Sequence, residues 1–211
     1  IWDFADKKYS FFEYKNIDWN AIKTKYQSKI NSNMTDSALF KVCGDMLYEL
    51  KDGHVNLSSD FDRSRNWSIF LDYPENFNYS VIERNYFKTK EQFLKSFILC
   101  DFGDIMYVHY PSFMTPVTEA DLDYLIDHLN NKKGLIIDVR GNGGGSVANV
   151  NLIARRFSEK TMVVGSSWTK NGPKHSDFNK MDEKLKIGKG IKTNFKIPIV
   201  LLTNRSCYSA T

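Results

Sequence analysis

Along the first fifty positions, apolar residues recur at helical spacing. Trp19, Ile22, Tyr26 and Ile30 fall on one face of a helix, and Leu39, Val42, Cys43, Met46, Leu47 and Leu50 on one face of a second. Thr35, Asp36 and Ser37 offer N-cap chemistry ahead of the second helix. Gly53 is placed to end it in a left-handed cap. The two apolar faces suit packing as a hairpin. Between 59 and 100 the periodicity breaks up; Pro74, several Asn and many aromatics predict short strands and irregular structure. From 101 onward strand and helix patterns alternate. Asp104 to His109 reads as a strand, and Thr118, with Asp121 three residues on, caps a helix striped by Leu122, Leu125, Ile126 and Leu129. An apolar strand over 134–139, a helix from Val147 to Phe157, a strand near Thr161 to Val164 and a last apolar strand over Ile197 to Thr203 follow. The pattern thus divides the chain into an N-terminal helical subdomain (1–58), a connecting segment with short strands (59–100) and an α/β core (101–211). The βαβαβ order of the core predicts a mainly parallel sheet with covering helices.

The stretch GLIIDVRGNGGGS, residues 134–146, carries the strongest local signal. Leu135, Ile136, Ile137 and Val139 run into Gly141, Gly143, Gly144 and Gly145. Such a run reads as a strand buried on both faces, and the glycines permit close backbone approach. Strand, glycine turn and helix aim backbone N–H groups at something negative. A bound dinucleotide phosphate is a poor fit, because Gly141 and Gly143 are followed by Ser146 where the fingerprint needs its third glycine. The next strand ends in Gly165-Ser166-Ser167, without an acid to hold a ribose. No GxxxxGK[ST] is present either. An oxyanion formed during a reaction remains, and it requires only exposed N–H groups beside a nucleophile.

Composition narrows the setting. Hydrophobic residues make up 42% of 211 positions, enough for a substantial core, and 26% charged residues argue against a disordered chain. The net charge of +4 is spread out and does not imply a nucleic-acid partner. The one locally basic stretch, Lys180 to Lys196, also holds Asp182 and Glu183 and reads as a solvated loop; Asn171-Gly172 is a turn signal in the polar excursion before it. No run approaches the ~20 apolar residues of a membrane span. Cys43, Cys100 and Cys207 form neither CxxC nor a Cys/His cluster, so neither zinc nor a disulfide framework is indicated, and nothing implies a cofactor.

Two further segments carry candidate chemistry. In IPIVLLTNRSCYSAT, residues 197–211, a strand runs into small polar residues, and Ser206 and Ser209 sit in or just after that turn. A serine there is usually an N-cap, but it can also present its hydroxyl as a nucleophile. In LKDGHVNL, residues 50–57, His54 follows the helix-ending glycine on a loop. Of the other histidines, His109 ends a strand, His128 lies on a helix beside Asp127 and reads as surface, and His175 is in the polar excursion.

Taken together these segments resemble the serine peptidases related to the C-terminal processing peptidases and the tricorn core protease. GLIIDVRGNGGGS is similar to the family's DxRxNGGG element, and PIVLLTNRSCYSAT to its strand plus nucleophile, often close to TASASE. LKDGHVNL resembles the L-x-DGH-T element of tricorn-like members, and YVHYPSF, residues 107–113, the strand GYIRIPSF that opens the core. The resemblance implies a ClpP/crotonase-like core whose sheet is incomplete at the C-terminal end of this chain. It implies Ser209 as nucleophile, with the N–H of Ala210 and of Gly143 or Gly144 as oxyanion donors. His54 favours a Ser–His pair; a Ser–Lys pair with its lysine beyond residue 211 stays open. Asp138 and Arg140 are expected to shape the turn rather than react. The family's third catalytic group is an acid beyond the serine. The partner implied is a peptide or protein substrate; an exported location, periplasmic or in the cell envelope, is a family expectation, and oligomeric state is not legible. No PDZ-type module is evident over 59–100. A catalytically silent ligand- or peptide-binding domain on the same scaffold is the alternative from another functional class.

Overall fold

In the computed structural model, which describes all residues except 69, 70, 72, 187–191, 194 and 195, the N-terminal helices form where apolar spacing and caps coincide. They are α1 (Trp2–Lys8), α2 (Trp19–Gln27) and α3 (Asp36–Tyr48). The Asp18 and Thr35 side chains accept the N–H groups of Ala21 and Ala38, satisfying donors that a helix start leaves over. Trp19, Tyr26, Met46 and Leu50 meet Ala5 and Phe12 in a small core, braced by reciprocal indole-to-carbonyl hydrogen bonds between Trp2 and Trp19. The expected left-handed cap at Gly53 is not used: Lys51 is the left-handed residue, with φ +48°. The chain turns two residues earlier: the last-turn carbonyls of α3 accept the N–H groups of Glu49, Leu50 and Lys51, and Lys15 holds the Leu50 and Lys51 carbonyls that follow. Strands β1 (Asn56–Ser58) and β2 (Arg63–Arg65) pair antiparallel, close enough to α3 that a Cβ at Gly44 would lie 2.7 Å from Ser64 Oγ.

The second part starts with a helix that periodicity did not reveal, α4 (Tyr79–Tyr86), capped by Asn78. It hid because its apolar face, Tyr79, Ile82 and Tyr86, is only eight residues long and lies in an Asn- and aromatic-rich segment. The main sheet then assembles from β3 (Gln92–Leu94), β4 (Phe97–Phe102), β5 (Ile105–His109) and β6 (Gly134–Asp138), with α5 (Glu119–His128) between the last two. After β6 come α6 (Val147–Ala154), a 3-10 turn over Arg155–Phe157, and strands β7 (Met162–Lys170), β8 (Phe178–Leu185) and β9 (Ile199–Leu202). The sheet order is β3-β4-β5-β6-β9. The three core strands β5, β6 and β9 are parallel, as the βαβ pattern requires, and β3 and β4 add antiparallel from the segment before them, making the sheet mixed. The strand expected near Thr161 to Val164 does not join it. It lengthens into β7 and pairs with β8 in a separate two-stranded sheet, leaving Met162, Val163 and Val164 exposed. β8 also replaces the first part of the loop expected over Lys180 to Lys196; residues 187–191, 194 and 195 of that stretch lie outside the described residues.

The chain divides into two compact units, Ile1–Asp72 with Ser166–Met181, and Tyr73–Gly165 with Asp182–Thr211. In the second unit, one face of the main sheet (Met106, Val108, Leu135, Val139) packs with Leu122, Leu125, Ile126 and Leu129 of α5. On the other face Phe87 packs on Tyr107, and Tyr79 stacks on His109. Thr118 and Asp121 complete a reciprocal capping box that fixes the start of α5. Thr118→Ala should therefore lower the unfolding free energy by about 1 kcal/mol. A lower urea midpoint at unchanged slope would show it; an unchanged midpoint would show that the box carries no stability.

Candidate active site

Register decides where the candidate residues meet. Ile105 to His109 pair with Gly134 to Asp138, and Leu135 to Asp138 with Ile199 to Leu202. Parallel pairing without offset sends β5, β6 and β9 into their following loops at one edge, where ligands of such sheets bind. The loops are Tyr110–Thr115, Val139–Ser146 and Thr203–Thr211.

Asn142 ties these three loops together. Its side chain is fully buried. Nδ2 donates to the Tyr110 carbonyl at 2.9 Å, and Oδ1 accepts the N–H of Gly144 at 2.8 Å, the N–H of Phe113 at 3.3 Å and the Thr211 hydroxyl at 2.9 Å. Its backbone carbonyl accepts the Tyr208 N–H at 3.2 Å. Asn204 adds a second tie, accepting the Gly141 N–H at 2.9 Å and donating to Asn76 at 3.1 Å. Asn149 of α6 donates to the carbonyls of Phe113 and Thr115 at 2.8 and 3.2 Å.

These ties press the glycine turn onto the serine turn. Gly144 has φ +89°, and a Cβ there would lie 2.8 Å from both the Ala210 nitrogen and Ser209 Cβ and would overlap the Tyr208 carbonyl oxygen. Gly145, at φ +144°, lies as closely against the backbone of Phe113 and Met114. Ser209 is exposed and itself left-handed, with φ +58°. A serine held there is strained, a condition that over-determined turns at functional sites sustain.

Of the predicted donors, the Gly144 N–H is occupied by Asn142, whereas the Gly143 and Ala210 N–H groups make no hydrogen bond among the described residues. Gly143 is exposed, and a Cβ there would meet nothing within 4 Å. The structure thus brings Gly143, Gly144, Ser209 and Ala210 into one place. His54 belongs to the other compact unit, on the turn after α3, with its side chain 58% exposed and Nδ1 3.4 Å from Asp52.

Beneath the glycine turn lies a buried charge pair. Asp138 receives Arg140 through Nε at 2.9 Å and the terminal amine at 2.6 Å, the Arg140 N–H at 3.0 Å and the Tyr107 hydroxyl at 2.7 Å. Burial alone would raise the Asp138 carboxyl, but the Arg140 and Tyr107 bonds outweigh it and hold the group below the usual carboxylate range. Burial beside that carboxylate pushes the Tyr107 phenol up. Arg140 also lies over the Phe77 ring, 4.8 Å from its centre. His109 is buried next to the pair, its Nδ1 3.0 Å from the Asp138 carbonyl, and burial lowers its pKa. His128 bonds the Tyr124 carbonyl on its own helix, and His175 bonds Asp6. A cavity of roughly 620 Å³, lined by Phe77, Val81, Ile82, Tyr107, Ile136 and Arg140 among others, opens beside Arg140. Among the described residues no group of His, Cys, Asp or Glu is placed to hold a metal ion, and no helix is long and apolar enough to cross a membrane.

The polar residues that hold the site together, Asn142, Asn149 and Asn204, carry no chemistry-bearing type and were missed individually. Only the Asn inside the DxRxNGGG string marked one of them. The family model that matches this region, over residues 104–211, is that of peptidase family S41. The chain belongs to peptidase family S41. Residues 1–48 match the model of the tricorn protease C1 domain. Among solved structures, a candidate peptidase from Parabacteroides merdae is 38% identical, with a TM-score of 0.90 over 99% of this chain and 66% of that one. A lipoprotein from Streptococcus agalactiae (17% identical, TM-score 0.53, 99% and 66% covered) shares the fold. So does the photosystem II D1 C-terminal processing protease (12%, 0.54, 99% and 74%). The chain spans about two thirds of the length of the first two, 66% in each. A search of curated proteins gives no match.

Two outcomes follow from this S41 site geometry. Gly144→Ala combines a left-handed alanine with a backbone overlap and should cost at least about 2 kcal/mol of stability by urea denaturation; a cost near zero would mean the two turns do not abut. The Asp138 carboxyl has a depressed folded pKa. Its stabilisation is therefore full above its unfolded value of about 3.9 and is lost as pH falls through the folded one. Asp138→Asn should flatten the loss of stability below about pH 5, and equal acid slopes in both proteins would contradict this.

Proposed function

We propose that the protein is a serine-type peptidase that hydrolyses peptide bonds through an acyl-enzyme. Ser209 Oγ attacks the peptide carbonyl while its proton passes to His54. The carbonyl oxygen becomes an oxyanion, accepted by the N–H groups of Gly143 and Ala210. Collapse breaks the C–N bond, the proton on His54 goes to the leaving amine, and water repeats the sequence to release the acid. The observation that carries this reading is the seat of Ser209: a strained, exposed serine against Gly144, beside Gly143 and Ala210 N–H groups that make no hydrogen bond among the described residues. In this reading Gly144 contributes closeness rather than a donor, because Asn142 holds its N–H. Each oxyanion donor of this kind is worth about 3–4 kcal/mol of barrier.

Support for His54 comes from the DGH element and from imidazole chemistry, since a histidine changes charge near neutral pH. The substrate is a peptide or protein, as membership of S41 implies. An exported location belongs to the same reading, and fractionation of native cells tests it.

A fluorophosphonate probe applied to the intact protein should label Ser209, and Ser209→Ala should abolish labelling and lower hydrolysis of a quenched-peptide library by at least about 10³-fold. An intact, folded protein that neither labels nor cleaves would leave a silent binding domain as the account. His54→Ala should lose labelling at neutral pH by about 10²-fold or more; full retention there, with loss on changing a lysine, would assign a Ser–Lys pair.

A further inference from the structure

The cavity of roughly 620 Å³ lies on the face of the main sheet turned away from α5, and all of its lining belongs to the second compact unit. Its floor is Tyr107 of β5, Ile136 of β6 and Leu202 of β9. Tyr107 and Ile136 are register partners, and Leu202 pairs with Asp138, two residues beyond Ile136, so all three share one face. Val81, Ile82 and Tyr86 of α4 form one wall. The segment before α4, Glu75 to Asn78, forms another.

That second wall is fastened to the active-site loops. The Phe77 ring lies 3.5 Å from where a Cβ at Gly141 would be, and Arg140 sits over it, 4.8 Å from its centre. Asn76 Oδ1 accepts Asn204 Nδ2 at 3.1 Å, and Arg205 lies 3.7 Å from the centre of the Tyr73 ring. The wall that closes the cavity therefore continues into both loops that meet at Ser209. Its lining is mostly rings and branched chains, and Val81 and Tyr86 remain 42% and 63% exposed, leaving apolar surface for an occupant to cover. The rim offers no attraction for an anion. The Arg140 charge is met by the buried Asp138 carboxylate at 2.6 Å, and Glu75 is exposed and acidic.

We infer that this cavity is the specificity pocket of the proposed peptidase, taking one large apolar side chain of the substrate, of the phenylalanine or leucine class, close to the scissile bond. The inference rests on the peptidase reading. An apolar side chain gains by leaving water for these walls, whereas an acidic one would lose its hydration and meet Glu75. The volume lies in the range of pockets that enclose an organic ligand, so a ring fits without rearrangement of the sheet. A packing gap with no occupant would behave differently: filling it would change stability and leave the choice of substrate alone.

Two measurements on the intact protein test the pocket. In cleavage of a peptide library read by mass spectrometry, Phe, Tyr, Leu or Met should be enriched at one fixed position relative to the cut, with kcat/KM about tenfold or more above the matching alanine peptide. Val81→Trp, which fills the cavity from the exposed side of α4, should reduce that preference to about twofold or less. The second measurement needs no catalysis. The Ser209→Ala protein is irradiated with a peptide series carrying p-benzoylphenylalanine at each position in turn, and one member should crosslink to residues 77–86, with loss of those crosslinks in Val81→Trp. Cleavage without apolar preference, or crosslinks confined to residues outside the cavity, would overturn the pocket and leave the peptidase reading standing. If nothing is cleaved and Ser209 does not label, the peptidase reading fails, and the crosslinks alone decide whether the cavity takes the side chain.

Discussion

Asn142 is buried without residual exposure, and its side-chain amide is divided among separate segments: Nδ2 holds the Tyr110 carbonyl, while Oδ1 holds Phe113, Gly144 and Thr211. An amide carries both a donor and an acceptor with two lone pairs, so it can bridge loops that each leave over a different kind of group. A carboxylate of the same shape would lose the donor and bury a charge; a leucine would leave several buried polar groups unpaired, each costing roughly 1–3 kcal/mol. The loops that meet here are otherwise independent of one another in sequence. What makes their meeting possible is register, since an offset of one residue between β6 and β9 would turn the chain over and separate Tyr208 from Asn142.

The closeness that Asn142 enforces explains the glycines better than flexibility does. Gly144 and Gly145 each combine a positive φ with a backbone neighbour where a side chain would have to be, one against the serine turn and one against the loop after β5. They are the two contact points at which the glycine turn is wedged between its neighbours. Gly143 lies between Asn142 and the wedge, is exposed with room for a Cβ, and its N–H makes no hydrogen bond among the described residues, while the chain on either side is fixed. The pair Asp138–Arg140 works from below, since the carboxylate binds both the side chain and the N–H of Arg140 and so sets how β6 leaves the sheet.

Much of this was legible in the sequence, and the failures have physical causes. Strands β5 and β6 and helix α5 were readable because burial and a capping box leave strong patterns, and β9 from its apolar run alone, since Ile199, Val200 and Leu201 are exposed. The helix α4 was not, because its apolar face, Tyr79, Ile82 and Tyr86, spans only eight residues inside a segment rich in Asn and aromatics that reads as irregular. The strand β7 was read into the wrong sheet, because short apolar runs specify a strand but not its partner. Gly53 looked like a helix cap because glycine is the common solution; the chain instead turns at Lys51, where Lys15, thirty-odd positions earlier, holds the carbonyls of Leu50 and Lys51, a tertiary contact that no local pattern encodes. The nucleophile turn and glycine turn were recognisable as motifs, yet their joining residues are asparagines, which in a sequence look like ordinary loop composition.

Hydrogen-bond economy at the sheet edge gives the arrangement its direction. In a turn this crowded, unpaired N–H groups are costly if buried and unremarkable if solvated. Gly141 and Gly144 have theirs taken by side-chain oxygens of Asn204 and Asn142, and Tyr208 and Thr211 theirs by carbonyls. The N–H groups of Gly143, next to Gly144, and of Ala210, next to the left-handed Ser209, make no hydrogen bond among the described residues. A fold that needed only a stable turn would gain from closing these two as well, and from relaxing Ser209 out of the left-handed region. Fixed donors without a partner among the described residues, beside a serine held in a strained backbone, suit the preorganised form that stabilises a negative charge without moving, which is the property that the proposed acyl transfer requires.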